Sequence, residues 1–211
     1  MRSLIKSLLN RLCQLLVLPL AIPCILEDKL VKGHVEVIFN MCSHIVAILP
    51  GLPGSFLRRA FYSLTLEKCS LNSHIGFGTI FSHRSVIIED YVYIGNYALI
   101  GSVIIGEYSL IGSRVSILNS NSLHELDENG RWTPFSADML EKVDIAKNVW
   151  IGEGAIVMAN VGESSMVGAG SVVTTNVKSF ILVAGIPGRF VKNLEIPQHK
   201  ERSTQEKINN D

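Results

Sequence analysis

Ile105-Gly106-Glu107-Tyr108-Ser109-Leu110-Ile111-Gly112-Ser113-Arg114-Val115-Ser116 sets the fold, because an aliphatic residue followed by glycine returns after six positions. Neither the 3.6-residue period of a helix nor the two-residue alternation of a half-buried strand explains that spacing. Towards the N-terminus the unit recurs as Ile94-Gly95-Asn96-Tyr97-Ala98-Leu99, Ile88 to Tyr93, Phe81 to Val86 and Ile75-Gly76-Phe77-Gly78-Thr79-Ile80; Ile87 marks a one-residue slip and Ile100 opens a five-residue unit. Towards the C-terminus it returns as Ile145 to Trp150, Ile151-Gly152-Glu153-Gly154-Ala155-Ile156 and Val167-Gly168-Ala169-Gly170-Ser171-Val172. Each unit turns one aliphatic residue inward and then bends at a glycine or a small or acidic residue. Three units close a triangular coil of about 18 residues, and stacked coils pair in parallel and bury their aliphatic rows. The expected fold is all-β, a parallel β-helix. A sandwich with many glycine turns would alternate with period two and carry hairpin dipeptides.

The chain has 211 residues and a formal net charge of +0, which removes the overall basic field of a nucleic-acid binder and the acidic excess of a solvating disordered chain. It is 47% hydrophobic and only 18% charged, so some apolar surface is expected to face a partner or a lipid. Residues 1–74 carry a net +4 and form a different object from the rest. From Arg2 to Leu18, Leu4, Ile5, Leu8, Leu9, Leu12, Leu15 and Leu16 recur at three- and four-residue steps opposite Arg2, Lys6, Asn10, Arg11 and Gln14, which is helical periodicity. Such a helix suits an anionic membrane surface, or else packs on its own protein or on another subunit. The apolar run Leu12 to Leu26 is expected to be interrupted by Pro19 and Pro23, and neither it nor Val35 to Leu49 reads as a good membrane span. Pro50-Gly51-Leu52-Pro53-Gly54 is expected to break the chain ahead of a short helix over Phe56 to Tyr62. Cys13, Cys24, Cys42 and Cys69 show no metal-like or C-x-x-C spacing and read as buried thiols in a reducing compartment. Without a clean cleavage site near Ala21-Ile22-Pro23-Cys24, the protein is expected in the cytoplasm, peripheral at the inner face of the membrane through residues 1–60.

Ile94-Gly95, Ile105-Gly106, Ile111-Gly112, Asn148-Val149-Trp150-Ile151-Gly152 and Val167-Gly168-Ala169-Gly170-Ser171-Val172-Val173 resemble the hexapeptide-repeat acyltransferases, in particular the sugar and antibiotic O-acetyltransferase branch. The resemblance covers residues 75–193, after an N-terminal extension over 1–74 and before a polar tail over 194–211. It implies a left-handed β-helix, a homotrimer with active sites between neighbouring subunits, acetyl-CoA as acyl donor, a sugar or glycan acceptor and no metal. It further implies coenzyme contacts at Trp150, Gly168, Ala169 and Thr174. Gly185-Ile186-Pro187-Gly188-Arg189 resembles the closing turn of the family, which implies that Arg189 and Lys192 meet the coenzyme's phosphates. By residue type alone, Arg189 and Lys192 read equally as a solvated turn, and Trp150 either lines a pantetheine channel or caps a coil edge.

The hexad is lost over residues 119–143, and a connection that long is usually functional. It contains His124. An exposed loop histidine is ordinarily solvated, but a loop extruded just ahead of Asn-Val-Trp-Ile-Gly resembles the one by which the family brings a catalytic histidine to the subunit interface. A sugar hydroxyl needs a base to attack a thioester, and imidazole titrates near the required pH. Glu125 or Asp127 orients His124, or simply solvates the loop. In the best-studied sugar acetyltransferases the loop histidine precedes a proline, whereas Glu125-Leu126 here looks closer to enzymes of surface-polysaccharide assembly. The connection Val157 to Gly162 is two residues short and is expected to tighten the coil. The alternatives are a non-catalytic trimeric scaffold, or a carbonic-anhydrase-like metal enzyme, for which His74, His83 and His124 lack paired spacing.

Overall fold

The computed structural model describes residues 2–31, 36–118, 125–133 and 141–195, with the side chains of α1 described from Ile5 onward. Three helices, α1 (Arg2–Val31), α2 (Val37–Ala47) and α3 (Gly51–Thr65), precede a stack of coils with three parallel faces. The inward residues are Cys69, Ile88, Ile105 and Ile145 on the first face, continued by bridges at Val161 and Val177. They are Ile75, Ile94, Ile111, Ile151, Val167 and Val183 on the second, and Phe81, Ile100, Ile117, Val157 and Val173 on the third. All are buried. The parallel β-helix read from the repeat is the fold, and its first strand is Lys68–Cys69.

The spacing separates the three corners of the triangle. From first face to second, and from second to third, every step between inward residues is six residues. From third to first the steps are seven at Phe81 to Ile88, five at Ile100 to Ile105, twenty-eight at Ile117 to Ile145, and four at both Val157 to Val161 and Val173 to Val177. The reason is visible in the backbone. At every six-residue corner after the first, which starts from Cys69, the third residue past the inward one is left-handed. These are Tyr91, Tyr108, Asn148, Ser164 and Phe180 at one corner, and Gly78, Tyr97, Arg114, Gly154 and Gly170 at the other. For a residue with a Cβ that conformation costs about 1–2 kcal/mol. Stacking returns part of it: the Tyr91 and Tyr108 rings lie 5.0 Å apart, and Tyr97 meets Phe77 edge-on at 5.5 Å. The short corners use a polar ladder, in which the Asp144 N–H donates to Asn160 Oδ1 at 2.8 Å and the Asn160 N–H to Asn176 Oδ1 at 3.1 Å. The expected tightening at Val157 to Val161 is therefore real, and it is repeated one coil later.

Coil-to-coil contact is close at the glycines that follow inward residues on the first and second faces, Gly106 and Gly162 as well as Gly76, Gly95, Gly112 and Gly152. A Cβ on Gly95 would lie 2.6 Å from Ser113 N, and one on Gly152 2.4 Å from Ala169 N. Backbone lies on backbone there, at the spacing of about 4.8 Å between parallel strands, and no side chain fits.

α3 covers the N-terminal end of the stack, where the first coil would expose unpaired carbonyls. Arg58 Nε donates to Ile75 O at 3.0 Å, and Arg59 Nη1 to Ser73 O at 3.1 Å. Arg59 Nη2 reaches α1 at Asn10 Oδ1, 2.6 Å away. Phe39, Phe61, Tyr62 and Phe81 join the helical layer to the coil interior, with Tyr62 on Phe81 at 4.5 Å. Glu27, near the end of α1, accepts the Ile38 and Phe39 N–H groups at the start of α2 and pairs with Arg84. The four cysteines are free and buried, and burial pushes the Cys69 thiol up to about 12.

Two helical expectations are corrected. Pro19 and Pro23 do not interrupt the first helix, which runs through both for 30 residues. Val17, Ala21 and Cys24 are buried along it, and this packing sustains the helix through the missing donors. The break read at Pro50 to Gly54 falls at Ile48 to Pro50, after α2 ends at Ala47, and the following helix begins earlier than Phe56. α3 starts at Gly51 because Pro53 sits in its first turn, where no N–H is needed. The buried line of α1 is Asn10, Cys13, Val17, Ala21, Cys24 and Glu27, while Leu8, Leu12, Leu15 and Leu16 are exposed.

Gly95→Ala is expected to cost more than about 2 kcal/mol and lower Tm by several degrees, because backbone must move. Gly154→Ala has open space and pays only the left-handed conformation, about 1 kcal/mol. Equal losses in thermal melts would contradict the stacking argument. His74, beside Ser55 Oγ at 3.1 Å, has its pKa lowered by burial and by Arg58 and Arg59. Below about pH 6.5 the unfolded chain then takes up a proton that the folded chain resists, so stability falls as pH drops through that value. His74→Gln is expected to flatten this part of the melting profile.

Candidate functional site

The long loop leaves after Leu118 and rejoins at Lys142, at the corner between third and first faces, and the Lys142 to Glu67 ion pair fixes its return. His124 lies outside the described residues. The next nine residues fold back on themselves, with Leu126 bridging Trp132 in antiparallel fashion. Asp127 builds the turn: its Oδ1 accepts the N–H groups of Asn129 and Arg131, each at 2.8 Å. Glu125 is exposed, and its backbone N–H donates to Thr133 Oγ1 at 2.9 Å. Of the two acids beside His124, Asp127 thus has one oxygen engaged in holding the loop's shape, and Glu125 has its carboxylate in solvent.

Trp150 lies on the outer side of the second face, half-exposed, in a row that runs His74, Tyr93, Leu110, Trp150, Met166, Leu182 and Lys192 across neighbouring strands. Lys192 ends this row because strand Arg189–Asn193 turns back antiparallel on Ile181–Ala184. Gly168 and Ala169 form the corner between second and third faces one coil beyond Gly152; a Cβ on Gly168 would meet that of Ala184 at 2.9 Å. Beside them the positions facing Gly154 and Gly170 are open. Thr174 follows Val173 at the third corner, the one from which the long loop also emerges, two coils away and hence about 10 Å along the stack.

Arg189 borders a cleft of about 470 Å³ at the C-terminal end of the stack. Its floor is the last coil's apolar side chains, Val173, Val177, Ile181 and Val183, and Thr175, Asn176, Lys178 and Phe190 stand around it. The turn Gly185 to Gly188 closes one side, with the Gly188 N–H donating to Val172 O at 2.7 Å. An apolar floor with two cations beside it suits a ligand that is partly apolar and partly anionic. The structure thus brings Arg189 and Lys178 to one cleft and Lys192 and Trp150 to one outer row, and it separates both Trp150 and Lys192 from the base of the loop. The loop's corner is opposite the second face of the triangle. Lys178, Thr175 and Asn176 were not legible as site residues, although the sixteen-residue spacing of Ile145, Val161 and Val177 places Lys178 just past an inward residue. Among the described residues, no three histidine, cysteine or acidic side chains group to hold a metal; His83 pairs with Glu36 and His74 meets Ser55 and Tyr93.

No protein-family model matches the chain. A galactoside O-acetyltransferase of Escherichia coli K12 is 31% identical over 126 residues, 58% of this chain and 55% of that protein, so the match spans about half of the relative. Among solved structures, a maltose O-acetyltransferase from Clostridium difficile 630 superposes with a TM-score of 0.66 at 18% identity, over 80% of this chain and 90% of that one. A hexapeptide-repeat acetyltransferase of Vibrio cholerae O1 biovar eltor, solved with acetyl coenzyme A, gives 0.55 at 22%, over 72% and 84%. The likeness in fold extends to the left-handed coil of these structures.

Proposed function

As a relative of the hexapeptide-repeat acetyltransferases, this chain, we propose, transfers an acetyl group from acetyl-CoA to a hydroxyl of a sugar or glycan. The observation that carries the reading is the placement of the one long insertion, 119–143, in an otherwise unbroken stack, together with relatives that are sugar O-acetyltransferases. In this mechanism His124 takes the proton of the acceptor hydroxyl as its oxygen attacks the thioester carbonyl. The tetrahedral oxyanion is held by a backbone N–H of the coil, which needs no reorganisation. Collapse breaks the carbon–sulfur bond, and the imidazolium returns its proton to the departing thiolate. An acetyl ester and the free thiol of coenzyme A result, with no acyl-enzyme.

The chain's own residues fit the donor. Trp150, Gly168 and Ala169 would flank the pantetheine arm from one copy and Thr174, at the loop's corner, from its neighbour, while Lys192 at the end of the Trp150 row and Arg189 with Lys178 at the cleft would offer cations to the phosphates. The triangular geometry supports a homotrimer with shared sites: a loop that leaves opposite the face bearing Trp150 and Lys192 meets that face most directly on a neighbouring copy. Asp127 shapes the loop, and Glu125 is left to orient His124. Glu125-Leu126 after the histidine supports an acceptor in surface-polysaccharide assembly.

His124→Ala is expected to lower kcat by about 10² to 10⁴ with little change in KM for acetyl-CoA, read as thiol release and as acetylated glycan by mass spectrometry. Full turnover in that variant would rule out the assignment of the base. Arg189→Ala is expected to raise KM for acetyl-CoA about tenfold while leaving kcat nearly unchanged, with the difference shrinking at high salt. An unchanged KM would remove Arg189 from the phosphate site.

A further inference from the structure

The outward face of α1 and α2 has no partner among the described residues. On α1, Ile5, Leu8, Leu9, Leu12, Leu15, Leu16, Ile22, Leu26 and Leu30 are exposed, Leu8 by 73% and Leu30 by 80%. The exposed aliphatic residues continue through Val37, Met41 and Ile45 on α2 and Ile48 just after it to Leu52 at the start of α3. This is far more contiguous aliphatic surface than a soluble monomer presents. We propose that this face lies in one leaflet of an anionic lipid membrane, with the axis of α1 in the membrane plane.

Charge and tethering carry the choice. Among the described residues, the exposed charged side chains of α1 are Lys6, Arg11, Lys29 and Asp28, and Asp28 is paired with Arg84 at 3.3 Å, so the charge left to a surface is positive. Arg11 donates to a neutral amide, Gln14, and keeps its charge for headgroups, whereas Lys6 is held on the protein side by Asn72, beside Asp90. By length and composition α1 could equally cross a bilayer. Its polar side, however, is tied to the protein along its whole length: Lys6 to Asn72, Asn10 to Arg59, Gln14 to Ser63, and Glu27 to Arg84 and to the start of α2. Pulling α1 upright would strip Arg59 of its partner on α1 and leave Asn10, Gln14 and Glu27 in hydrocarbon. A helix held flat satisfies both of its sides, the polar one on the protein and the leucine one in lipid.

The test is co-sedimentation of the full chain with vesicles of phosphatidylcholine alone and of phosphatidylcholine with phosphatidylglycerol. Partitioning is expected to be about tenfold stronger on the anionic vesicles, to weaken with salt, and to fall at least tenfold in the double variant Leu8→Glu, Leu15→Glu. Both positions are exposed, so the variant is expected to melt like the parent. Should it misfold, Leu12→Trp with brominated lipids gives a second reading, in which quenching supports insertion and its absence refutes it. Three results overturn the proposal: no partitioning of the parent chain, retention in the membrane after alkaline carbonate, which indicates a spanning helix, or a variant that changes oligomeric mass with vesicle binding unaltered, which indicates that another copy covers the face.

Discussion

Everything in this molecule depends on the close approach of one coil to the next, backbone on backbone, at Gly76, Gly95, Gly106, Gly112, Gly152 and Gly162. Parallel strands of two or three residues cannot hold a sheet by themselves. They hold here because every coil repeats the same corner geometry, so the backbone hydrogen bonds continue from coil to coil and each inward aliphatic residue lands on its predecessor. Two corners are fixed by six-residue steps and a left-handed residue. The remaining corner carries all the variation in length, from four residues to twenty-eight, since it alone does not have to keep that register.

This freedom decides where a long insertion fits. An insertion at either fixed corner would displace a left-handed residue and separate the glycine backbones, whereas the third corner admits a long loop with no disturbance to the stack. The same corner, two coils on, presents Thr174 and the approach to the cleft beside Arg189 and Lys178. A solenoid of this kind keeps its faces rigid and confines irregularity to one edge.

The two ends of the stack are finished differently. At the N-terminal end the buried Arg58 and Arg59 of α3 donate to carbonyls of the first coil, to Leu49 O in the turn before α3 and to Asn10 Oδ1 of α1. At the C-terminal end a turned-back strand, Arg189–Asn193, covers only the second face and leaves the last coil's valines at the floor of a cleft. The helical layer closes one end, and the other is left with an open cleft beside Arg189 and Lys178.

The coil was readable from the sequence because its signal is local: an inward aliphatic residue, a glycine and a fixed count to the next pair are all contained within a dozen residues. The loop was readable as a gap in that count, and Arg189 through its turn. Lys178 was not, since a single lysine gains meaning only when the coil closes and brings residue 178 beside residue 189. The orientation of α1 was also beyond the sequence. Periodicity separates a leucine side from a polar side, but it does not say which side the protein takes. That was decided by Arg59, Ser63, Asn72 and Arg84, tens of residues away, which bind the polar side and turn the leucines outward.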